Sequence, residues 1–257
     1  MLSWPLIRNI CLALLLLPLA HFAWVVGSEH ARRQAPGPEV WQAEVDAYTR
    51  EAQTLSLPAD PVLVAGGRQV KLWAGLDRLL APRPVLMRGL GDATVDDLIY
   101  HYSDLIGYYR PESLILLVGN SEFQQRDDKE PTELLQAVQQ FAAIDREHRP
   151  SGQLYLIGPV KTPFYPEDHR RIAQANTLLA AWAAGEPGVS YLDPAPVLED
   201  AEGKPDGSYF RPGGQYLNRQ GYLRLGVLLR AALEARETPH TPAESSVNST
   251  GSSANAQ

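Results

Sequence analysis

Residues 61–73 read Pro-Val-Leu-Val-Ala-Gly-Gly-Arg-Gln-Val-Lys-Leu-Trp. The apolar run before the two glycines is short and unbroken, which is typical of a strand that is covered on both faces. The residues after the glycines alternate between apolar and polar with the spacing of a helix. The stretch therefore predicts a strand, a tight glycine turn and a helix, and it places Arg68 directly after the turn.

The same alternation continues along the chain and predicts the fold class. Five short apolar runs predict strands, at residues 61–66, 84–88, 113–119, 153–158 and 189–193. Helical periodicity fills the intervals, at residues 69–80, 93–108, 130–148, 166–184 and 218–233, the last starting at Asn218 as N-cap. Alternating strands and helices predict a parallel sheet with right-handed crossovers. We therefore predict an α/β fold of three α/β/α layers, flavodoxin-like, with a five-stranded parallel sheet.

Three further segments stand in a fixed order after the first. Residues 87–94 read Met-Arg-Gly-Leu-Gly-Asp-Ala-Thr, residues 113–122 end in Gly-Asn-Ser-Glu, and residues 210–218 read Phe-Arg-Pro-Gly-Gly-Gln-Tyr-Leu-Asn. With the first stretch, the set resembles the four blocks of the SGNH (GDSL-type) hydrolases, a family of esterases. Members of that family often read Gly-Ser-Ser-Ser-Ile-Arg-Leu-Trp, Asn-Arg-Gly-Phe-Gly-Gly-Ser-Thr, Gly-x-Asn-Asp and Phe-Arg-x-Asp-Gly-Leu-His-Leu-Asn. The resemblance covers residues 61–233.

The resemblance implies that the catalytic positions of the family are substituted in this chain. Arg68 stands at the position of the serine nucleophile, Ser121 at that of the oxyanion asparagine, and Gly213 and Tyr216 at those of the triad aspartate and histidine. Gly91 keeps the glycine whose N–H faces the oxyanion. A guanidinium has no lone pair for attack, and a neutral phenol is a poor base at pH 7. We therefore predict a catalytically degenerate protein with no catalytic residue.

The same residues suggest a site for a ligand. The glycine turn exposes backbone N–H groups, the following helix presents the positive end of its dipole, and Arg68 adds a fixed cation. A glycan, an acyl group or another anionic ligand in the former cleft fits this chemistry. Alternatively, Arg68 fills the cleft and forms a structural ion pair with Glu122 or Asp92, or the cleft is closed and function lies on the outer helices. The predicted ligand-binding residues are Arg68, Gly67, Gly91, Ser121, Glu122 and Tyr216.

An active enzyme is the second hypothesis. An esterase or acyl-transfer enzyme could recruit Ser103 or Ser121 with His101 as an improvised dyad, although the sequence gives no geometric reason for it. The histidines have no zinc-like spacing, so no metal and no cofactor are predicted. A net charge of −7 without a basic stripe argues against a nucleic-acid partner.

The two ends of the chain differ from the predicted domain at residues 59–236. Residues 1–28 hold an apolar segment of intermediate length, between Trp4 and Trp24, which predicts an uncleaved membrane anchor or, alternatively, a signal peptide. Either way the domain is exported to the periplasmic or extracytoplasmic side, secreted if the segment is cleaved, where an envelope protein could be a partner. Residues 29–58 predict a charged amphipathic helix, as a stalk or a packed extra helix. Residues 237–257 lack apolar content and predict a disordered tail.

Overall fold

The computed structural model describes residues 37–55, 57–124 and 127–237, together with 14, 16–19, 21, 22 and 24 in the apolar N-terminal segment. Most of the predicted anchor at residues 1–28 and the predicted tail beyond residue 237 lie outside the described residues. Among the residues that are described, no helix combines the length and the apolar character that a membrane crossing requires. The membrane anchor therefore stays a prediction.

The domain is built on a five-stranded sheet whose strands are all parallel, in the order β2-β1-β3-β4-β5. Gly66 at the end of β1 is in register with Gly89 on β2 and Leu117 on β3, so three strands end at one edge. The predicted fold class is confirmed. The strands are β1 (Val62–Gly66), β2 (Val85–Gly89), β3 (Ser113–Leu117), β4 (Gln153–Ile157) and β5 (Val189–Leu192).

Helices cover both faces of this sheet, and short 3₁₀ turns join several of them. The α-helices are α1 (Gln42–Thr54), α2 (Arg68–Leu72), α3 (Leu76–Leu80), α4 (Val95–Tyr100), α5 (Tyr102–Leu105), α6 (Pro131–His148), α7 (His169–Ala183), α8 (Ala195–Leu198) and α9 (Arg219–Glu237). The 3₁₀ turns are Pro38–Trp41, Gly107–Tyr109, Asn120–Phe123, Pro166–Asp168 and Gly207–Tyr209.

Two of the predicted helices are interrupted. The helix predicted at residues 69–80 is divided into α2 and α3, because Gly75 adopts a left-handed conformation with φ of 84°. Trp73, in the gap, stacks on Tyr222 at 5.6 Å between ring centroids. The helix predicted at residues 93–108 is divided at His101, which leaves α4 and α5 as short segments. Tertiary packing of the aromatic side chains thus overrides a continuous helical period.

The core has two halves, one on each face of the sheet. Alternate strand residues such as Leu63 and Ala65 pack with α4, α6 and α7, whereas Val62 and Val64 pack with α2, α3 and α9. Strands that are buried on both faces need apolar side chains at every position. This explains why the apolar runs of the sequence do not alternate.

Helix α1 is packed against the domain, so the amphipathic segment is the extra helix of the two alternatives. Val45 on α1 is buried in the core, and the Tyr48 hydroxyl donates a hydrogen bond of 2.8 Å to the Gly89 carbonyl oxygen. Arg88 on β2 is fully buried between the rings of Tyr48 and Tyr109, 4.6 and 4.7 Å from their centroids. Its Nη1 also donates to Glu51 Oε2 at 3.2 Å. These contacts hold α1 over the carboxyl edge of β2.

Candidate functional site

The glycine turn after β1 brings three segments to one point. A Cβ atom added to Gly66 would lie 2.5 Å from the Leu117 carbonyl oxygen, and one added to Gly67 would lie 2.9 Å from the Ala93 carbonyl oxygen. No real side chain tolerates either distance to backbone, so both positions require glycine. The turn therefore lies directly against the end of β3 and the loop after β2, as the strand order predicts.

Arg68, the first residue of α2, forms a bidentate ion pair with Asp92. Its Nε and Nη2 each donate a hydrogen bond of 2.7 Å to an Asp92 carboxylate oxygen. The hydrogen bonds that Arg68 donates to Asp92 raise the pKa of Arg68 further above its ordinary value, so the guanidinium stays charged. Both side chains are about half exposed, at 42% and 53%. The predicted alternative of an ion pair in the cleft is present, with Asp92 rather than Glu122 as the partner.

The amide of Gly91, the predicted oxyanion donor, already has a hydrogen-bond partner. Its N–H donates to Glu44 Oε2 at 3.1 Å, and the same oxygen accepts a hydrogen bond of 2.7 Å from Lys71 Nζ. The Trp41 ring covers the glycine so closely that an added Cβ would lie 2.0 Å from a ring carbon. The Glu44 carboxylate and the Trp41 indole, from the segment before the predicted domain, therefore fill the space next to the Gly91 N–H.

Ser121 reaches the same point from the turn after β3. Its hydroxyl donates a hydrogen bond of 3.0 Å to the Ala93 carbonyl oxygen. The neighbouring Asn120 donates through Nδ2 to the Val160 carbonyl oxygen at 2.9 Å, while its Oδ1 is buried with no partner among the described residues. The Gln69 Oε1 atom is buried and unpartnered in the same way. Gln69 Oε1 and Asn120 Oδ1 are therefore two buried acceptors near Arg68 that lack a donor among the described residues.

Glu122 lies beneath the site and supports it. The side chain is 1% exposed; Oε1 accepts the Val95 N–H at 2.7 Å and Oε2 accepts from Lys129 Nζ at 2.7 Å. Lys129 also pairs with Asp96 and Asp127. Burial raises the pKa of Glu122 to about 7, against the opposing charge of Lys129. Glu122, a predicted ligand-binding residue, thus links the turn after β3 to the start of α4.

The segment that carries Gly213 and Tyr216 has a loop conformation. Gly213 and its neighbour Gly214 adopt left-handed φ angles of 96° and 74°, which L-residues with a side chain rarely take. The Tyr216 carbonyl oxygen accepts the Arg211 N–H at 2.8 Å, which closes the loop. Burial raises the pKa of Tyr216, and the charge of Asp92 adds to this shift. The loop therefore brings a neutral phenol near the ion pair and leaves no acid at the position of Gly213.

The improvised dyad is not formed in the part of the chain that the structure describes. The Ser121 hydroxyl is bonded to backbone, and Nε2 of His101 lies 2.9 Å from the Pro38 carbonyl oxygen. His148 and His169 likewise contact the carbonyl oxygens of Ile144 and Thr162. No described serine hydroxyl is hydrogen-bonded to a described histidine ring. Among the same residues, no group of three or more His, Cys, Asp or Glu side chains is placed to hold a metal ion.

A small pit of about 30 Å³ lies beside Arg68 at the carboxyl edge of the sheet. Three of the six predicted ligand-binding residues line it, namely Gly67, Arg68 and Ser121, whereas Gly91, Glu122 and Tyr216 do not. A cavity of this size holds one or two water molecules, not an acyl chain. The remaining lining residues are Gln69, Asp92, Gly119, Asn120, Gln124, Tyr165 and Gln215.

Sequence reasoning missed the contributions of Glu44 and Trp41. They lie in the segment before the domain, far in sequence from the four blocks, and nothing in the charged helical pattern marks them. Tyr165 was missed because it lies on a loop without a motif of its own. Gln69, Asn120 and Gln215 carried a signal, since each adjoins a predicted site position.

Comparisons with known proteins support the fold assignment. No family model matches the chain, and no curated protein matches it. Among solved structures, the chain is similar to a protein provisionally described as a platelet activating factor from Streptococcus pneumonia, with a TM-score of 0.65 and 18% identity over 75% of this chain and 92% of that one. It is also similar to a GDSL-like lipase from Bacteroides thetaiotaomicron, with a TM-score of 0.62 and 13% identity over 76% and 98% of the two chains.

A third neighbour is the lipase/acylhydrolase from Enterococcus faecalis, with a TM-score of 0.55 and 13% identity over 68% of this chain and 96% of that one. The chain spans nearly the whole length of each of these proteins. The parallel sheet, the glycine turn after β1 and the four ordered sequence blocks agree with this likeness. The described domain has the fold of the SGNH (GDSL-type) hydrolases.

Proposed function

We propose that the protein is a catalytically degenerate SGNH-fold module, anchored in the membrane and facing the cell envelope, that binds a glycan-like ligand through the surface around Arg68. The observation that carries this proposal is the half-exposed bidentate pair of Arg68 and Asp92 where the fold family has its nucleophile. An ion pair of this kind offers hydrogen-bond donors and acceptors side by side. Sugar hydroxyls both donate and accept, so they match it.

The surroundings of the pair support a hydroxyl-rich ligand. Arg68 uses Nε and Nη2 for Asp92, and Nη1 has no hydrogen bond among the described residues. Gln69 and Asn120 line the same pit, and their buried oxygens Oε1 and Oδ1 have no donor among the described residues. Tyr165 adds an aromatic surface beside them. Polar groups at the base with an aromatic ring at the rim suit a sugar lying on the surface better than an acyl chain.

Loss of catalysis is the second part of the proposal. Arg68 supplies no nucleophile, and the Gly91 amide is engaged by Glu44. The alternative of an active hydrolase with Ser121 and His101 gains no support, since each of these side chains is bonded to a backbone carbonyl oxygen elsewhere. Export and anchoring by residues 1–28 belong to the proposal and rest on the apolar segment of the sequence.

A glycan array probed with the full chain, followed by calorimetry on the glycans that bind, tests ligand binding. We expect binding that falls at least tenfold in Arg68→Ala and in Asp92→Ala, since each change removes one side of the pair. Arg146→Ala is the matched control, because Arg146 forms a similarly exposed ion pair with Glu186 on the far side of the domain. Binding that is equal in the native chain and both site variants, or no binding to any glycan, would contradict the proposal.

A further inference from the structure

A trough of about 670 Å³ lies at the opposite end of α2 from the pit. It is bordered by the break between α2 and α3 and by the start of α9. Sites for small organic ligands in proteins measure about 300–1,000 Å³. The trough therefore has the capacity for a ligand that the pit at Arg68 lacks.

The walls of the trough are largely apolar. Trp73 and Tyr222 are buried and stack on each other at 5.6 Å, forming a rigid aromatic wall. Leu76 is buried behind them, and Leu79 is half-buried on the next turn of α3. Leu223, on the first turns of α9, is 54% exposed at the rim. An apolar guest would cover this leucine and gain about 25 cal/mol for each Å² removed from water.

Cations border this apolar surface. Arg78, Arg211 and Arg219 line the trough, and Asp77 is the one carboxylate that lines it among the described residues. Arg211 donates through Nε to the Leu217 carbonyl oxygen. The guanidiniums of Arg78 and Arg219 have no hydrogen bond and no ion pair with any other described residue, although the chain carries a net charge of −7. Arg219 also begins a helix of 19 residues, whose dipole places further positive charge at this end.

We propose that this trough binds a single-chain acyl carboxylate. The carboxylate would pair with the guanidiniums of Arg78 and Arg219, which match it in planar, bidentate geometry. The acyl chain would lie along Leu79 and Leu223 against the aromatic wall of Trp73. Charge complementarity decides for an anion over a neutral or cationic amphiphile, since three cations face one carboxylate. The site is separate from the Arg68 surface and does not depend on the glycan proposal.

Calorimetric titration of the full chain with dodecanoate, kept below its micelle concentration, tests this site. We expect saturable binding that weakens at least tenfold in the double variant Arg78→Gln, Arg219→Gln. Arg230→Gln is the matched control, because Arg230 lies on the same helix α9 in an exposed pair with Glu234, and we expect it to bind as the native chain does. The apolar N-terminal segment is the same in all variants, so its contribution cancels.

Two further arms keep the result interpretable. Leu223→Ser removes an exposed leucine, so the fold is retained, and we expect dodecanoate binding to weaken several-fold. Dodecyltrimethylammonium, with the same chain and the opposite charge, is expected not to bind at the trough. Dodecanoate binding that is unchanged in both the arginine and the leucine variants overturns the proposal. So does equal loss of binding for both amphiphiles in the arginine variant, or a heat signal that follows protein concentration and thereby indicates a second copy of the chain.

Discussion

Helix α2 has five residues, and its two ends border two different concave regions. At its start, the pit around Arg68 measures about 30 Å³ and is bordered by an ion pair. Beyond its end, the trough beside Trp73 measures about 670 Å³ and is bordered by Arg78 and Arg219, whose guanidiniums have no partner among the described residues. The pit lies at the glycine turn after β1, where the sequence resemblance predicts the family's site. The trough is lined by Leu72, Trp73 and Arg211 from the first and fourth blocks and otherwise by residues outside the blocks.

The predicted site at Arg68 is therefore not the region with space for a ligand, because the trough beside Trp73 is more than ten times larger than the pit. Beside the pit, Glu44 and Trp41 engage Gly91, and at the pit Asp92 pairs with Arg68. At the trough, apolar surface and positive charge stay open. Variants of the residues around the pit test how strongly the contacts of the pit and of helix α1 stabilise the fold.

The largest effect on stability is expected from the Arg88 contacts that hold α1 over the carboxyl edge of β2. Arg88→Ala removes a fully buried guanidinium from between Tyr48 and Tyr109 and leaves a cavity. We expect the free energy of unfolding to fall by about 3 kcal/mol, measured by urea denaturation. Arg230→Ala, in an exposed pair, should change it by less than about 0.5 kcal/mol. A loss below about 1 kcal/mol for Arg88→Ala would mean that α1 is held loosely.

The next effect concerns the cover over the oxyanion position. Gly91→Ala places a methyl group where the Trp41 ring lies, so the ring or the loop must move. We expect a loss of about 2 kcal/mol in unfolding free energy, and a smaller additional loss when Trp41 is already alanine. A double-mutant cycle by urea denaturation measures this coupling. If the two effects simply add, Trp41 does not cover Gly91 and the pit is more open than described.

A smaller, pH-dependent effect is expected from Glu122. Burial raises its pKa to about 7 from an ordinary value of 4.5, so the unfolded chain loses this proton first. The stability that it contributes is complete below about pH 4.5 and is lost as the pH rises through about 7. We expect Glu122→Gln to flatten the fall in unfolding free energy between pH 5 and 8, measured by denaturation at each pH. Glu202→Gln, on an exposed loop, should keep the native profile; a native profile for Glu122→Gln would contradict the assignment.

The smallest effect is expected from the exposed ion pair of Arg68 with Asp92. The Arg68–Asp92 pair is about half exposed, and such pairs contribute only about 0–1 kcal/mol. We therefore expect Arg68→Ala to change the unfolding free energy by less than about 1 kcal/mol in the same urea experiment. A loss above about 2 kcal/mol would make the pair a structural element and would weaken the case for a ligand at Arg68.

The sequence predicts the fold better than the site, for physical reasons. Strands buried on both faces must be apolar throughout, so β1 and β3 can be predicted from the sequence. The glycine turn that contains Gly67 can also be predicted, because no other residue allows the close approach to the Ala93 carbonyl oxygen. The pairing of Arg68 with Asp92 was among the alternatives that the residues suggested, but distance alone decides which carboxylate is the partner.

The contacts that cover Gly91 could not be predicted, because they depend on tertiary packing. Glu44 and Trp41 lie before the domain, and their contacts with Gly91 exist only once α1 is packed on the carboxyl edge of β2. The trough could not be predicted for the same reason. Arg78 and Arg219 are 141 positions apart (219 − 78) and meet only in the fold.

Hydrolysis of p-nitrophenyl acetate by the full chain, compared with buffer alone, tests the proposed loss of hydrolase activity. We expect the background rate for the native chain and the same rate for Arg68→Ala and Ser121→Ala, since no described serine hydroxyl is hydrogen-bonded to a described histidine ring. Turnover above background that Ser121→Ala abolishes and Arg68→Ala leaves intact would contradict it, and would establish a working hydrolase with a new nucleophile.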